Sequence, residues 1–202
     1  MSSKVSVLIL AAGSSSRMGK IKQLLPWKES TLLEHTVKMA ELSKASEVIV
    51  VLGSNAGLIK ESVEATNVVF LENSKWKTGL GTSISCGVDY LLNQNKGADA
   101  VLILLGDQAL MDTEYIDKII DLYSSGESKL IGTRYGKKVG VPALFERPFF
   151  LDLLQLEGDR GAQLFLKKFA DKVLSLNPQG KAFDVDTMED YTSLLKMSDN
   201  KD

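Results

Sequence analysis

The sequence predicts an α/β fold: a doubly wound, mainly parallel sheet with helices on both faces, Rossmann-like, in a single domain. Short β-branched runs alternate with longer amphipathic stretches. The short runs are apolar at successive positions, as strands covered on both faces require. Strands alternating with helices of this length imply right-handed crossovers between parallel neighbours.

The elements follow in order. Val5–Leu10 reads as the first strand. In "STLLEHTVKMAELS", Leu33, Val37 and Ala40 recur at helical spacing, with Ser30 as the expected N-cap and Glu34 supporting the first turn. Glu47–Leu52, Val68–Leu71 and Ala100–Leu105 are the next expected strands, bounded by Gly, Asn or Asp. "GTSISCGVDYLLNQ" lines one helical face with Ile84, Val88, Leu91 and Leu92. "DTEYIDKIIDLYSS" does the same with Ile116, Ile119, Ile120 and Tyr123. After Leu130 the rhythm loosens. "KLIGTRYGKKVGVPALF" reads as strand, turn and strand, and "FFLDLLQL", "GDRGAQLFLKKF" and "TMEDYTSLL" as three helices. No linker, repeat or low-complexity segment divides the chain, so the domain is expected over residues 1–196, with 197–202 a frayed tail.

Composition narrows the function. The 202 residues are 44% hydrophobic and 25% charged, enough for a sizeable core. A net charge of −2 argues against broad electrostatic binding of nucleic acid. No apolar run reaches the length of a membrane span, and "MSSKVSVLIL" carries no cleavable signal pattern. The expectation is a cytoplasmic protein that binds neither nucleic acid nor membrane. A single Cys86 allows no internal disulfide, and with a single His35 it excludes a His/Cys zinc cluster. A metal here would be held by oxygen, which points to magnesium, with manganese the alternative.

The stretch "LILAAGSSSRMGKIKQLLPW" follows the first strand, where ligands of such sheets bind. It is not a Walker A loop: Gly13 and Gly19 enclose five residues, and Lys20 is followed by Ile21. Nor is it the dinucleotide fingerprint, because Ser15 stands where the second glycine belongs and no acid closes the next strand. It still suits a triphosphate. Ala11, Ala12 and Gly13 keep bulk away, Gly13 and the serines can present N–H groups to an anion, Arg17 can fork onto phosphate, and Lys22 adds a point charge. Residue chemistry alone leaves a solvated basic loop equally open.

"LAAGSSSRMGKIKQLLPW" closely resembles the signature of nucleotidyltransferases related to molybdenum cofactor biosynthesis, and of these the molybdenum cofactor cytidylyltransferases above all. The resemblance continues in order through "NSKWKTGLGTSISCG", "LLGDQ", "GVPALF", "EGDRGA" and "FDVDTMEDY". It implies the nucleotide-diphospho-sugar transferase-like fold. It implies a nucleoside triphosphate, CTP, as donor and a phosphorylated pterin, molybdopterin, as acceptor. A molybdoenzyme or its chaperone would be the downstream partner. One departure is Ala109, where the family carries proline after GDQ. The proline stiffens the turn and takes no part in the chemistry.

The resemblance assigns nucleotide binding to Leu10, Ala11, Ala12, Gly13, Ser14, Ser15, Arg17, Lys22, Gly79, Ser83 and Asp107. Arg17, Lys22 and Asp107 are the expected catalytic residues. Asp107 and Asp186 are the expected metal ligands, Asp107 by way of the GDQ aspartate. Gly140, Pro142, Asp159, Arg160 and Gly161 are placed around the acceptor. Each has a plainer alternative. Asp107 could be a turn aspartate. Asp184 and Asp186 share a face of an extended segment, and Asp186 or Thr187 could instead cap the last helix with Glu189 completing a capping box. Asp159 could be a cap, and Lys137 and Lys138 a solvated turn. Trp76 is expected in core packing, Cys86 as a small buried residue, and His35 as structural or partly exposed. The competing functions are a transferase using GTP or a sugar or alditol phosphate, and a nucleotide-binding regulator without catalysis.

Overall fold

The computed structural model describes residues 3–94, 97–159 and 161–199. The elements are β1 (Val5–Ala11), a two-strand hairpin of β2 (Pro26–Trp27) and β3 (Ser30–Thr31), α1 (Leu32–Glu41), β4 (Glu47–Leu52), α2 (Ala56–Ser62), β5 (Val68–Glu72), α3 (Leu80–Asn93), β6 (Ala100–Leu105), α4 (Thr113–Ser124), β7 (Leu130–Tyr135), β8 (Lys138–Glu146), α5 (Phe150–Leu153), α6 (Gly161–Lys168), β9 (Leu174–Leu176) and α7 (Met188–Asp199). The sheet order is β5-β4-β1-β6-β8-β7-β9. Neighbours β5, β4, β1 and β6 are parallel. β8 runs against both β6 and β7, so β7 and its parallel partner β9 point the same way as β6.

All seven residues of β1 are buried. Val5, Val7, Ile9 and Ala11 pack into one core cluster, with Leu33 and Val37 of α1 and Ile116 and Ile119 of α4. Leu8 and Leu10 point the other way, into a second cluster with Ile84, Val88 and Leu91 of α3 and Phe150 and Phe165 of α5 and α6. Alternation along one strand thus feeds both layers, which is why its sequence is apolar at every position but Ser6. The doubly wound, mainly parallel sheet is as the sequence predicts.

Local details differ. Thr31, not Ser30, caps α1: its Oγ1 accepts from the Glu34 N–H at 3.2 Å. Ser30 is instead paired with Trp27 in the hairpin. The helix α2, the hairpin and β9 are short additions without a strong periodic signal. The last helix continues to Asp199.

Chain order changes direction at β1. From β1 the chain moves outward through β4 to β5, then returns to the other side of β1 to form β6. Such a switch point opens a crevice at the carboxyl ends of the two strands. The loop after β1 and the turn after β6 both start there. A third apolar cluster, of Met18, Leu25, Trp27, Leu32, Ala109, Val185 and Leu194, binds that loop, the hairpin and α7 to this edge. Ala109 is thus buried in packing, where the family's proline would lie.

Candidate active site

A cavity of about 610 Å³ occupies the crevice. Leu10, Ala11, Ala12, Gly13, Ser14, Ser15, Arg17, Lys22, Gly79, Ser83, Asp107, Asp159 and Asp186 line it. The expected nucleotide residues and both expected metal ligands therefore meet at one place.

The loop after β1 is built from within. Gln23, only 4% exposed, donates from Nε2 to the carbonyls of Ala11 at 2.9 Å and Gly13 at 3.1 Å. Ser15, at φ 54°, accepts the Lys22 N–H on its Oγ at 3.0 Å, and its hydroxyl donates to Gln23 Oε1 at 3.3 Å. The buried glutamine thus holds the loop open and fixes the base of Lys22. The backbone N–H groups of Gly13 to Arg17 donate to no group among the described residues. A Cβ at Gly13 would meet nothing within 4 Å. Successive free N–H groups of this kind form an anion-binding concavity.

Gly106 lets the turn after β6 lie against β1: a Cβ there would come within 2.9 Å of Leu33 and 3.1 Å of Ala11. Asp107 follows. Its Oδ2 lies 2.5 Å from Lys22 Nζ, and Asp186 Oδ1 lies 3.3 Å from the same atom. Arg17 approaches Asp186 only at 3.8 Å and is largely exposed. Asp107 Oδ1 is buried and has no hydrogen-bond partner among the described residues. Burial pushes the Asp107 carboxyl above its ordinary value, Lys22 pulls against this, and Asp184 and Asp186 add to the rise. Burial pulls the Lys22 ammonium down, but Asp107 and Asp186 outweigh it and hold it above its ordinary value.

Asp186 is free for this site because capping falls elsewhere. Thr187 Oγ1 accepts the Asp190 N–H at 3.1 Å, and Asp190 Oδ2 accepts the Thr187 N–H at 2.8 Å. The capping partner is Asp190, not Glu189. Among the described residues no group of three His, Cys, Asp or Glu side chains could hold a metal ion. Two carboxylates converge, however, and one buried oxygen lacks a partner. That donor set fits magnesium or manganese, which bind through one or two carboxylates and complete their shell with substrate phosphates and water.

Gly79, expected at the nucleotide, and Gly81 also meet protein backbone. A Cβ at Gly81 would come within 2.7 Å of the Glu157 backbone, and Gly81 N–H donates to Gly158 O at 2.9 Å. A Cβ at Gly79 would likewise collide with Gly158. These glycines admit the backbone of the 157–159 loop, although Gly79 also lines the cavity. Ser83 Oγ accepts from Asn73 Nδ2 at 3.1 Å. Trp76 is half-buried and lines the cavity, its Cβ 2.6 Å from a Cβ built at Gly53. It is a wall of the site and belongs to none of the core clusters, contrary to expectation. Burial raises the thiol of Cys86, half-buried in α3, away from reactivity. His35 is half-buried against Trp27, with ring centroids 6.2 Å apart.

A second cavity, of about 320 Å³, adjoins the first and shares Leu80, Leu105 and Asp159 with it. Gly140 lines it. Pro142 and Gly161 are buried behind its wall, and Arg160 lies outside the described residues. Lys138 also faces it, beyond the solvated turn expected of it, while Lys137 is exposed. Sequence reasoning missed its polar centre. Gln108, 1% exposed, donates from Nε2 to Tyr135 Oη and to Asp184 Oδ1, both at 2.7 Å. The Tyr135 hydroxyl donates in turn to the Val141 carbonyl. Asp184 and Asp186 therefore face different cavities. A glutamine directly after a strand-end aspartate was the available signal.

Residues 7–173 match the model of the MobA-like NTP transferase domain. The chain is 30% identical over 195 residues to the purine catabolism protein PucB of Bacillus subtilis (strain 168), covering 91% of this chain and 92% of that protein. It is 26% identical over 203 residues to the nicotine blue oxidoreductase of Paenarthrobacter nicotinovorans, covering 95% and 96%. Among solved structures, Rv0371c from Mycobacterium tuberculosis H37Rv superposes with a TM-score of 0.80 at 28% identity, over 97% of this chain and 99% of that one. The same protein in complex with manganese superposes at 0.76.

Proposed function

The chain belongs to the MobA-like NTP transferase family, and from that premise we propose that it transfers CMP from CTP to the terminal phosphate of molybdopterin, releasing pyrophosphate. The observation that carries the reading is the arrangement at the switch point. Free N–H groups of Gly13 to Arg17 lie beside one ammonium, Lys22, and two carboxylates, Asp107 and Asp186, that converge on it.

The loop N–H groups receive the triphosphate, and Lys22 and Arg17 neutralise it. An oxygen of the acceptor's terminal phosphate forms the new bond to the α-phosphorus. The bond from that phosphorus to the bridging oxygen breaks, and pyrophosphate leaves in line. A phosphate monoester is already ionised at neutral pH, so the nucleophile needs no base. Catalysis then consists of holding the reactants in line and stabilising charge on the α-phosphate. Asp107 and Asp186 are the residues that would hold magnesium, which when bound withdraws charge from the phosphate oxygens. Asp159 lies on both cavities and suits a residue at the junction of donor and acceptor. The second cavity, with Gly140 in its wall, supplies the acceptor's place.

The strand that would carry a nicotinamide ribose acid, β4, ends in Leu52-Gly53-Ser54 without a carboxylate. This favours nucleotide transfer over dinucleotide redox chemistry. The test is pyrophosphate release by purified protein with magnesium and each of CTP, GTP, ATP and UTP, over molybdopterin and a panel of sugar and alditol phosphates. Release with CTP that depends on molybdopterin is expected. Release with another pair reassigns the substrates, and nucleotide binding without release under any pair refutes the transferase.

A further inference from the structure

The Lys22 ammonium occupies the space toward which both expected metal ligands turn. Its Nζ lies 2.5 Å from Asp107 and 3.3 Å from Asp186. The side chains of Lys22 and Asp107 are only 17% and 13% exposed, so water screens little of the ammonium's field. A dication approaching Asp107 in this state meets a fixed positive charge at hydrogen-bond distance from its own ligand.

The other partner available to Lys22 is the triphosphate itself. The backbone of Lys22 is tied to Ser15 Oγ at 3.0 Å, which roots the side chain on the loop whose N–H groups are free. Phosphates docked on that loop compete with Asp107 for the ammonium. When the ammonium turns to them, Asp107 and Asp186 lose the cation they share, and Asp107 Oδ1 has no partner among the described residues from the start. Affinity for a dication is then greatest when the triphosphate is present. Arg17 does not substitute for Lys22: it is 72% exposed and reaches only Asp186.

We propose that Lys22 is an internal cation that reserves the metal position until the triphosphate draws it away, so that metal is taken up with the nucleotide and not before it. The proposal rests on the nucleotidyltransferase reading and adds an order of loading to it. Coupling of this kind is reciprocal: metal and nucleotide tighten one another through one shared side chain.

The test uses the full chain without nucleotide and follows free Mn²⁺ by electron paramagnetic resonance. Lys22→Met is expected to bind Mn²⁺ at least about tenfold more tightly than the wild type, a difference of about 1.4 kcal/mol. Equal or weaker binding by Lys22→Met overturns the proposal and leaves the transferase reading standing. A second titration adds CTP, with the Mn²⁺ held by CTP alone subtracted; absence of Mn²⁺ binding by both proteins in both titrations removes the metal reading and the proposal with it. Should Lys22→Met fail to fold, the wild type decides. The Lys22 side-chain ¹⁵N resonance is expected to shift on addition of CTP in EDTA and to stay in place with Mg²⁺ alone. A resonance that moves with Mg²⁺ alone, or ignores metal-free CTP, overturns it.

Discussion

Lys22 Nζ and Asp107 Oδ2 lie 2.5 Å apart across 85 residues of sequence, in a site where each side chain is less than one-fifth exposed. The contact ties the loop after β1 to the turn after β6. Asp107→Asn removes the charge and keeps the shape. Pyrophosphate release is expected to fall by at least about 100-fold, the scale of losing one charge-stabilising group. A melting curve that still shows a cooperative transition would locate the loss in chemistry. Release within a few-fold of wild type would remove Asp107 from the catalytic set.

Gly13 offers a different probe, because a Cβ there touches no protein atom. Gly13→Ala is expected to leave the melting temperature within a degree or two, while the added methyl stands where the nucleotide must come close. The KM for nucleotide is expected to rise about tenfold, equivalent to about 1.4 kcal/mol. Unchanged KM would mean that the triphosphate does not approach this loop.

The sheet was legible because β1, β4 and β6 are buried on both faces and, apart from Ser6 and the first residue Glu47 of β4, apolar. The site was legible because Arg17 and Lys22 fall in the connection after β1, and because a carboxylate just beyond a buried strand, as Asp107 is after β6, is costly without a partner. What escaped the sequence depends on distances across the fold. Nothing near Gly79 or Gly81 announces that Glu157 and Gly158 will lie against them, so the small size of Gly79 invited only a ligand. Asp184 and Asp186 alternate as one strand face would, yet the segment passes between two cavities and divides them. Thr187 and Asp190 make a capping box with an aspartate where a glutamate was sought, one residue earlier. Gln23 carries no charge, and only its burial and its hydrogen bonds show what it holds.

The contact at Gly81 reverses the ordinary helix preference. Alanine in a helix is favoured over glycine by up to about 1 kcal/mol, and Gly57 in α2, with nothing within 4 Å, is expected to show that gain. Gly81→Ala instead drives a methyl into the Glu157 backbone, at a cost of about 1–3 kcal/mol. Urea unfolding of both variants checks the pair. A stabilising Gly81→Ala would show that the 157–159 loop yields easily and does not close the site.

His35 ties stability to acid pH. Burial first, then Lys28 and Lys38, lower its value from 6.5 to about 4. The folded state therefore disfavours the imidazolium. Its contribution is fully present above pH 6.5 and is lost as pH falls toward 4. Partial exposure reduces the full linkage energy to about 1–2 kcal/mol. His35→Phe keeps a ring beside Trp27 and removes the titration. The fall in melting temperature between pH 7 and pH 4 is expected to be smaller in the variant by several degrees. Parallel profiles would place the acid sensitivity elsewhere.

Gln23 tests whether the loop after β1 is held by its own side chains or only by its ligand. Its carboxamide donates to two loop carbonyls, Ala11 and Gly13, and accepts from Ser15, whose Oγ in turn fixes the Lys22 backbone. Gln23→Glu has nearly the same volume but can donate neither hydrogen bond, and it sets a carboxylate against the two carbonyls. Leaving buried polar groups unmatched costs about 1–3 kcal/mol, so the melting temperature is expected to fall. The kinetic signature separates scaffold from packing. If Gln23 positions the loop, nucleotide KM rises and kcat falls together, because the N–H groups and Lys22 are misplaced at once. A variant that melts early yet keeps wild-type KM and kcat below its transition would show that nucleotide binding alone sets the loop, and that the glutamine only fills the core beneath it.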